Sequence, residues 1–258
     1  MSYSDTEMMV SAAAAQLDDG ERAFVGIGVP MLTCNLAKST HAPNLELVYE
    51  SGVVGAPISR GGVPTSIADP KLASNSSAIY PMHDSFSRVL QGGRIDVGFL
   101  GGAQIDRYGN INSSVIGDYE DPDVRLPGSG GACEIASNAK RFMIITPHER
   151  RRFPEEVDFV TSPGHVDGPD GRDRHGLEGG GPSTVITDKA IMRFDEDREM
   201  YVEALHPGVT RDAVQEATGW ELPFADDVEE TDPPTDEELR IMREVLDPGR
   251  TYIDPPEE

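Results

Sequence analysis

Short runs of branched and aromatic residues, bounded by turns and alternating along the chain with helical patterns, constrain this chain more than anything else in it. The runs cover 23–27, 45–49, 97–100, 142–146, 157–160 and 184–187, with 191–194 and 200–204 as a late pair. Runs this short match buried strands better than amphipathic helices, and strands alternating with helices predict an α/β fold around a mainly parallel sheet. Helices are expected from Pro30 through Leu36, over Asp84 to Gln91, and after the glycines at 128–131 through Ala136. Ser4-x-x-Glu7 and Thr235-x-x-Glu238 are capping boxes that open the first and last helices. Residues 1–258 read as one domain, with 205–258 a C-terminal, helical, acidic extension packing on it. Within that extension Thr210 caps a short helix and Pro223 to Pro234 reads as a linker.

Charge decides which partners are compatible. Asp and Glu number 46 against 22 Lys and Arg, a formal net charge of −24, and such a surface repels phosphate backbones and anionic bilayers. Nucleic acid and membrane are therefore not expected partners. Lysine occurs only at 38, 71, 140 and 189. An acidic, lysine-poor surface stays hydrated where salt screens its self-repulsion, the pattern of a halophile's cytoplasmic protein, although an ordinary acidic enzyme has the same signature. The N-terminus lacks a basic stretch followed by an apolar one, so export is not expected, and runs such as Phe142-Met143-Ile144-Ile145 are too short to span a bilayer. Cys34 and Cys133 form no CxxC pair, and His165 and His175, in the glycine-rich loop 164–182, lack ligand spacing. No metal and no bound cofactor are expected. That loop itself reads as mobile or interface-covering.

Glu50 stands where the run Leu45-Glu46-Leu47-Val48-Tyr49 meets the turn Ser51-Gly52. A carboxylate on a strand-to-turn corner is held by the sheet behind it while glycine leaves the backbone approachable, which suits a nucleophile; a solvated surface carboxylate occupies the same kind of position. Three glycine turns, 26–30, 101–106 and 128–132, also end apolar runs. In open parallel sheets ligands lie beyond the carboxyl ends of the strands, where backbone N–H groups can take an anion. None of the three is a dinucleotide or ATP-binding signature, and each is also compatible with a plain tight turn.

Taken in order, Gly26-Ile27-Gly28-Val29-Pro30, Glu50-Ser51-Gly52, Gly102-Ala103-Gln104-Ile105-Asp106 with Gly109-Asn110, Ile116-Gly117-Asp118-Tyr119, Gly128-Ser129-Gly130-Gly131-Ala132 and His148-Glu149 with Arg151-Arg152-Phe153 resemble the β subunits of family I CoA-transferases. Val160-Thr161-Ser162-Pro163-Gly164 and Asp247-Pro248-Gly249 extend the resemblance along the whole chain, and its wording is nearest the glutaconate CoA-transferase type. The resemblance implies a three-layer α/β/α sandwich shared with certain sugar-phosphate isomerases, and an α-subunit partner in a heterodimer or higher heteromer. It also implies coenzyme A as a substrate exchanged between an acyl-CoA and a carboxylic acid. It carries the nucleophile onto Glu50, with Ser51 where many relatives have Asn. Oxyanions formed in such chemistry would be met by the backbone N–H of Gly28, Gly130 or Gly131 and by the amides of Gln104 and Asn112, unless those amides only brace turns. Two other readings stay open: a subunit of a CoA-dependent ring-opening hydrolase of the same lineage, and a non-catalytic partner subunit. The arginines at 150–152 read as a solvated face or a subunit contact.

Overall fold

The computed structural model describes residues 2–58 and 61–254. The chain forms two compact units, Met1–Phe99 with Asp232–Glu258, and Leu100–Thr231.

In the first unit the strands β1 (Arg22–Val25), β2 (Glu46–Tyr49), β3 (Val53–Val54), β4 (Ala78–Ile79) and β5 (Val97–Leu100) lie in the order β5-β1-β2-β3-β4. β1 pairs in parallel with β2, from Arg22 opposite Glu46 to Val25 opposite Tyr49, and with β5 on its other side. Each of these three strands is an almost wholly buried apolar run, as parallel strands covered on both faces must be. β3 and β4 continue the sheet in antiparallel fashion.

Helix α1 (Asp5–Ala14) packs on α2 (Val29–Ser39), the crossover between β1 and β2. The expected capping box is present: Ser4 Oγ accepts from the Glu7 amide at 3.3 Å, and Glu7 Oε2 from the Ser4 amide at 2.9 Å. Glu7 is only 1% exposed, and its carboxylate is met by Arg243, Nε at 2.6 Å and an NH2 nitrogen at 2.7 Å. A buried carboxylate needs such a fork, and here the fork comes from the last helix, which opens on the Thr235 box and runs from Asp236 to Leu246.

The second unit holds two small hairpins, β6 (Gln104–Ile105) with β7 (Ile111–Asn112) and β8 (Val115–Gly117) with β9 (Pro122–Arg125). Its main sheet has the order β10 (Arg141–Ile145), β11 (Pro182–Ile186), β12 (Ala190–Phe194), β13 (Met200–Leu205) and β14 (Phe224–Glu230). The outer pairs are parallel and the middle ones antiparallel. The α/β class expected from the sequence is therefore present, with antiparallel strands mixed into a sheet read as mainly parallel.

Three expectations differ from the structure. Residues 205–258 do not act as one extension: those through Thr231 belong to the second unit and those from Asp232 to the first. The expected linker 223–234 contains β14, which joins β13 because the Val202 amide donates to Pro223 and the Thr231 amide to Leu205. Asp226, Asp227, Glu229 and Glu230 are exposed on this end strand of the order, and such charge discourages edge-to-edge pairing. Residues 157–160 form no strand, since the Asp158 amide is taken by the Gln104 side chain and Phe159 stacks on Tyr119 with centroids 5.2 Å apart.

Loop 164–182 is pinned rather than free. Arg172, 7% exposed, donates to the carbonyls of Gly179 (2.9 Å), Gly164 (2.8 Å), Pro163 (3.3 Å) and Ala136 (2.9 Å), and burial pulls its guanidinium down to about 10. Arg172→Met would leave these carbonyls without their donors. The expected cost is about 3 kcal/mol, read as a lower denaturation midpoint and new proteolytic cleavage within 164–182. Unchanged protection would mean that the glycines alone hold the loop.

Candidate active site

Tyr49, the last residue of β2, is opposite Val25, the last of β1, so the turns that follow leave neighbouring strands at the same end. One turn is Gly26-Ile27-Gly28; the other begins with Glu50. Gly28 caps α2 at φ +84°, with no side-chain cap, and Pro30 removes a further donor from the first turn. The Gly28 carbonyl accepts from Met31 and Leu32, whereas the N–H groups of Gly28 and Val29 have no partner among the described residues. An unspent helix N-terminus thus sits on the strand next to the one that carries Glu50, and such an end favours negative charge.

The Glu50 backbone is fixed from two directions. The Gly52 amide donates to Tyr49 at 2.8 Å, closing the turn, and the Tyr80 amide donates to Gly52 at 2.9 Å. Behind it the buried Ser85 hydroxyl lies 3.0 Å from the Glu50 carbonyl and 2.7 Å from that of Met82. Gly52 is at φ +98°, and a Cβ there would stand 1.9 Å from the Tyr80 carbonyl oxygen. No other residue fits. The Glu50 side chain is half-buried, and its carboxylate has no hydrogen bond or ion pair among the described residues. Burial pushes its pKa above the usual carboxylate range, because the charged form is desolvated without a compensating partner. A carboxylate held unpaired on a rigid turn is placed to act as a nucleophile in its ionised form. Ser51 Oγ next to it is buried and unpartnered.

In the second unit Gln104 and Asn112 are direct partners across the β6–β7 hairpin. Their amides are bonded to protein. Asn112 Nδ2 donates to Gln104 Oε1 (2.7 Å) and to the Val115 carbonyl (2.5 Å), while its Oδ1 accepts from the amides of Ser114 and Val115. That exhausts Asn112, which is 0% exposed. Gln104 Oε1 also accepts from the Asp158 amide, and its Nε2 donates to Asp158 at 2.9 Å, leaving one N–H unspent. The expectation that both amides face an oxyanion therefore fails for Asn112 on hydrogen-bond count, and turn-bracing is its role. Asp106 organises the hairpin turn by accepting from the Tyr108 and Asn110 amides and from Asn110 Nδ2, while burial lifts its carboxyl to about 6.

The glycine turn 128–131 is tied to the same hairpin by a reciprocal pair, the Gly128 amide to the Ser113 carbonyl at 2.8 Å and Ser113 Oγ to the Gly128 carbonyl at 2.9 Å. Gly130 is exposed at φ +49° and Gly131 precedes the helix Ala132–Asn138; the amides of both lack partners among the described residues. The structure thus groups Glu50 with Gly28 in the first unit and Gln104, Asn112, Gly130 and Gly131 in the second. Ser85 and Asp158, which fix the members of each group, had no signal in the sequence. The arginine run is spent largely within its own unit: Arg150 bonds the Glu216 and Thr218 carbonyls, and Arg151 and Arg152 pair with Glu149. Among the described residues no group of His, Cys, Asp or Glu could hold a metal ion, and no helix is long and apolar enough to cross a membrane.

The family described as Coenzyme A transferase matches residues 6–217. The B subunit of the 3-oxoadipate CoA-transferase of Pseudomonas knackmussii is 50% identical over 242 residues, 93% of this chain and 92% of the relative. The crystal structure of glutaconate coenzyme A-transferase from Acidaminococcus fermentans superposes with a TM-score of 0.91 at 38% identity, covering 98% of each chain. A cholesterol ring-cleaving hydrolase IpdB subunit of Rhodococcus jostii is 30% identical over 225 residues, 85% of this chain and 82% of its own.

Proposed function

The chain belongs to the coenzyme A transferase family as a β-type subunit, and from that premise we propose that Glu50 is its nucleophile and a dicarboxylic acid the acceptor of the CoA. The observation that carries the reading is the half-buried, unpartnered Glu50 carboxylate on a turn beside the open end of α2. The Glu50 carboxylate attacks the thioester carbonyl of the acyl-CoA, forming a C–O bond; the tetrahedral intermediate expels CoA thiolate and leaves an acyl-glutamyl anhydride. The thiolate then attacks the Glu50 carbonyl, giving a glutamyl-CoA thioester and the first acid. The acceptor carboxylate reverses both steps, so the kinetics are ping-pong. The oxyanion is met by the N–H groups at Gly28, aided by the α2 dipole; Gly130 and Gly131 offer a separate donor pair in the second unit. Gln104 and Asn112 hold that second pair's support in shape.

An α subunit completes the enzyme, as the subunit naming of the relatives supports. The dicarboxylic acceptor follows from 3-oxoadipate and glutaconate, which are both dicarboxylates. The hydrolytic reading has less behind it: the hydrolase subunit shares 30% identity where the transferase subunit shares 50%.

Incubating the heteromer with acyl-CoA should place CoA on Glu50, trapped by hydroxylamine or borohydride and located by peptide mass. A label on another residue would move the nucleophile. The rate should fall toward acid pH on a limb whose pKa lies above the ordinary glutamate value of about 4.3, because burial favours the protonated, unreactive form. An acid limb at or below the ordinary value would remove burial as the tuning device.

The net charge of −24 supports a salt-rich cytoplasm as the working environment. Lowering salt from molar to about 0.01 M lengthens the Debye distance from roughly 3 to 30 Å, so acidic groups repel over longer range and the melting temperature should drop. A melting temperature indifferent to salt would mark an ordinary acidic protein.

A further inference from the structure

The second unit contains an open cleft of about 790 Å³ that plays no part in the chemistry above, lined by Arg107, Arg150, Glu155, Gln215, Trp220 and Glu221 among others. Its size falls within the range of small-molecule sites. Its walls are built. Gln215 Nε2 donates to the Trp220 carbonyl at 2.6 Å and Gln215 Oε1 accepts from the Leu222 amide at 3.0 Å, which fixes the segment carrying the tryptophan. Gly219 donates to the Phe153 carbonyl at 2.7 Å and approaches so closely that a Cβ would meet the same oxygen at 2.7 Å.

The unspent polar groups define the ligand. Arg107 is occupied with Glu155 at 2.5 Å. Arg150 uses one NH1 nitrogen on the carbonyls of Thr218 (2.9 Å) and Glu216 (3.3 Å), so its Nε–NH2 edge, the edge that takes a carboxylate in bidentate fashion, is free among the described residues. Glu221 has no partner there either, and the indole N–H of Trp220, a residue 8% exposed, is likewise unspent. One free guanidinium edge, one free carboxylate and one aromatic wall remain. A dianion would meet Glu155 and Glu221 on a chain of net charge −24, and a simple amine would leave the Arg150 edge unused. We propose that this cleft binds a small zwitterion of the amino-acid type, its carboxylate on Arg150, its ammonium on Glu221 and its apolar side against Trp220.

Trp220 is the only tryptophan of the chain and is its own reporter. Titrating the assembled enzyme with L-leucine and with L-methionine should give a saturable fluorescence change that disappears in Trp220→Phe. 4-Methylpentanoate, which lacks the ammonium, and 3-methylbutylamine, which lacks the carboxylate, should each bind about tenfold more weakly. Arg150→Lys, which keeps the charge and loses the fork, should weaken leucine by about tenfold, and Glu221→Gln by several-fold. Glu50→Gln should leave leucine affinity unchanged, so failure of the nucleophile assignment and failure of this site are distinguishable. The proposal is overturned if neither amino acid gives a saturable, Trp220-dependent signal below about 10 mM, if 4-methylpentanoate binds as well as leucine, or if Arg150→Lys has no effect.

Discussion

Glu50→Gln is expected to lower CoA exchange by about 10³-fold or more, because it removes the oxygen proposed to form the covalent bond while keeping the shape of the side chain. The same variant should be more stable than the wild type at neutral pH. The folded-state pKa of Glu50 is raised by burial, so the folded protein holds the charged form at a cost that the unfolded chain in water does not bear. As pH falls through that raised value the folded wild type takes up the proton, the cost disappears, and the advantage of glutamine shrinks; below the unfolded value it is gone. Exchange assays of the α/β complex and melting curves from neutral to acid pH test both halves. Retained exchange would remove Glu50 from the chemistry. A stability gap that widened toward acid would contradict the desolvation account.

The second large effect is expected at Gly52→Val. A β-branched residue at φ +98° is strained by about 1–3 kcal/mol, and its Cβ would overlap the Tyr80 carbonyl oxygen, 1.9 Å from the ideal position. Relief requires moving either the Glu50 turn or the segment that follows β4, so the total should reach about 4 kcal/mol. Activity should fall even where the variant is kept folded at low temperature, since the turn that holds Glu50 is the part displaced. A melting temperature close to wild type would show that the Tyr80 segment gives way without cost.

What could be read from the residues was whatever depends on burial and on the backbone alone. β1, β2 and β5 are continuous apolar runs because both their faces are covered, and the two capping boxes are local, so both kinds of element were legible. β14 was not, because its acids match a solvated linker and only its pairing with β13 makes it a strand. Residues 157–160 failed in the other direction, since apolar side chains that stack on the surface, as Phe159 does on Tyr119, look in sequence like a buried strand. In the candidate site Glu50 and Gly28 were visible from position and glycine chemistry. The commitment of Asn112 to Gln104, Val115 and Ser114 was not, because it arises only when the hairpin closes. Ser85 was invisible for a related reason: its contact with the Glu50 carbonyl joins residues 35 apart.

The first unit is discontinuous, and this imposes an order on its making. A ribosome releases Met1–Phe99 first, then Leu100–Thr231, and Asp232–Glu258 only after both. The contiguous second unit has all its strands as soon as residue 231 has emerged. The first unit has until then neither Arg243 to meet the buried Glu7 nor the Leu246 carbonyl that accepts from the Val63 amide at 2.7 Å. Its sheet must wait with a carboxylate uncompensated and a helix face uncovered, which is the state in which nascent chains attract chaperones or aggregate. The part of the protein that carries Glu50 is thus closed after the second unit, and no nascent chain holds the Glu50 turn in a closed unit before Arg243 and Leu246 have emerged.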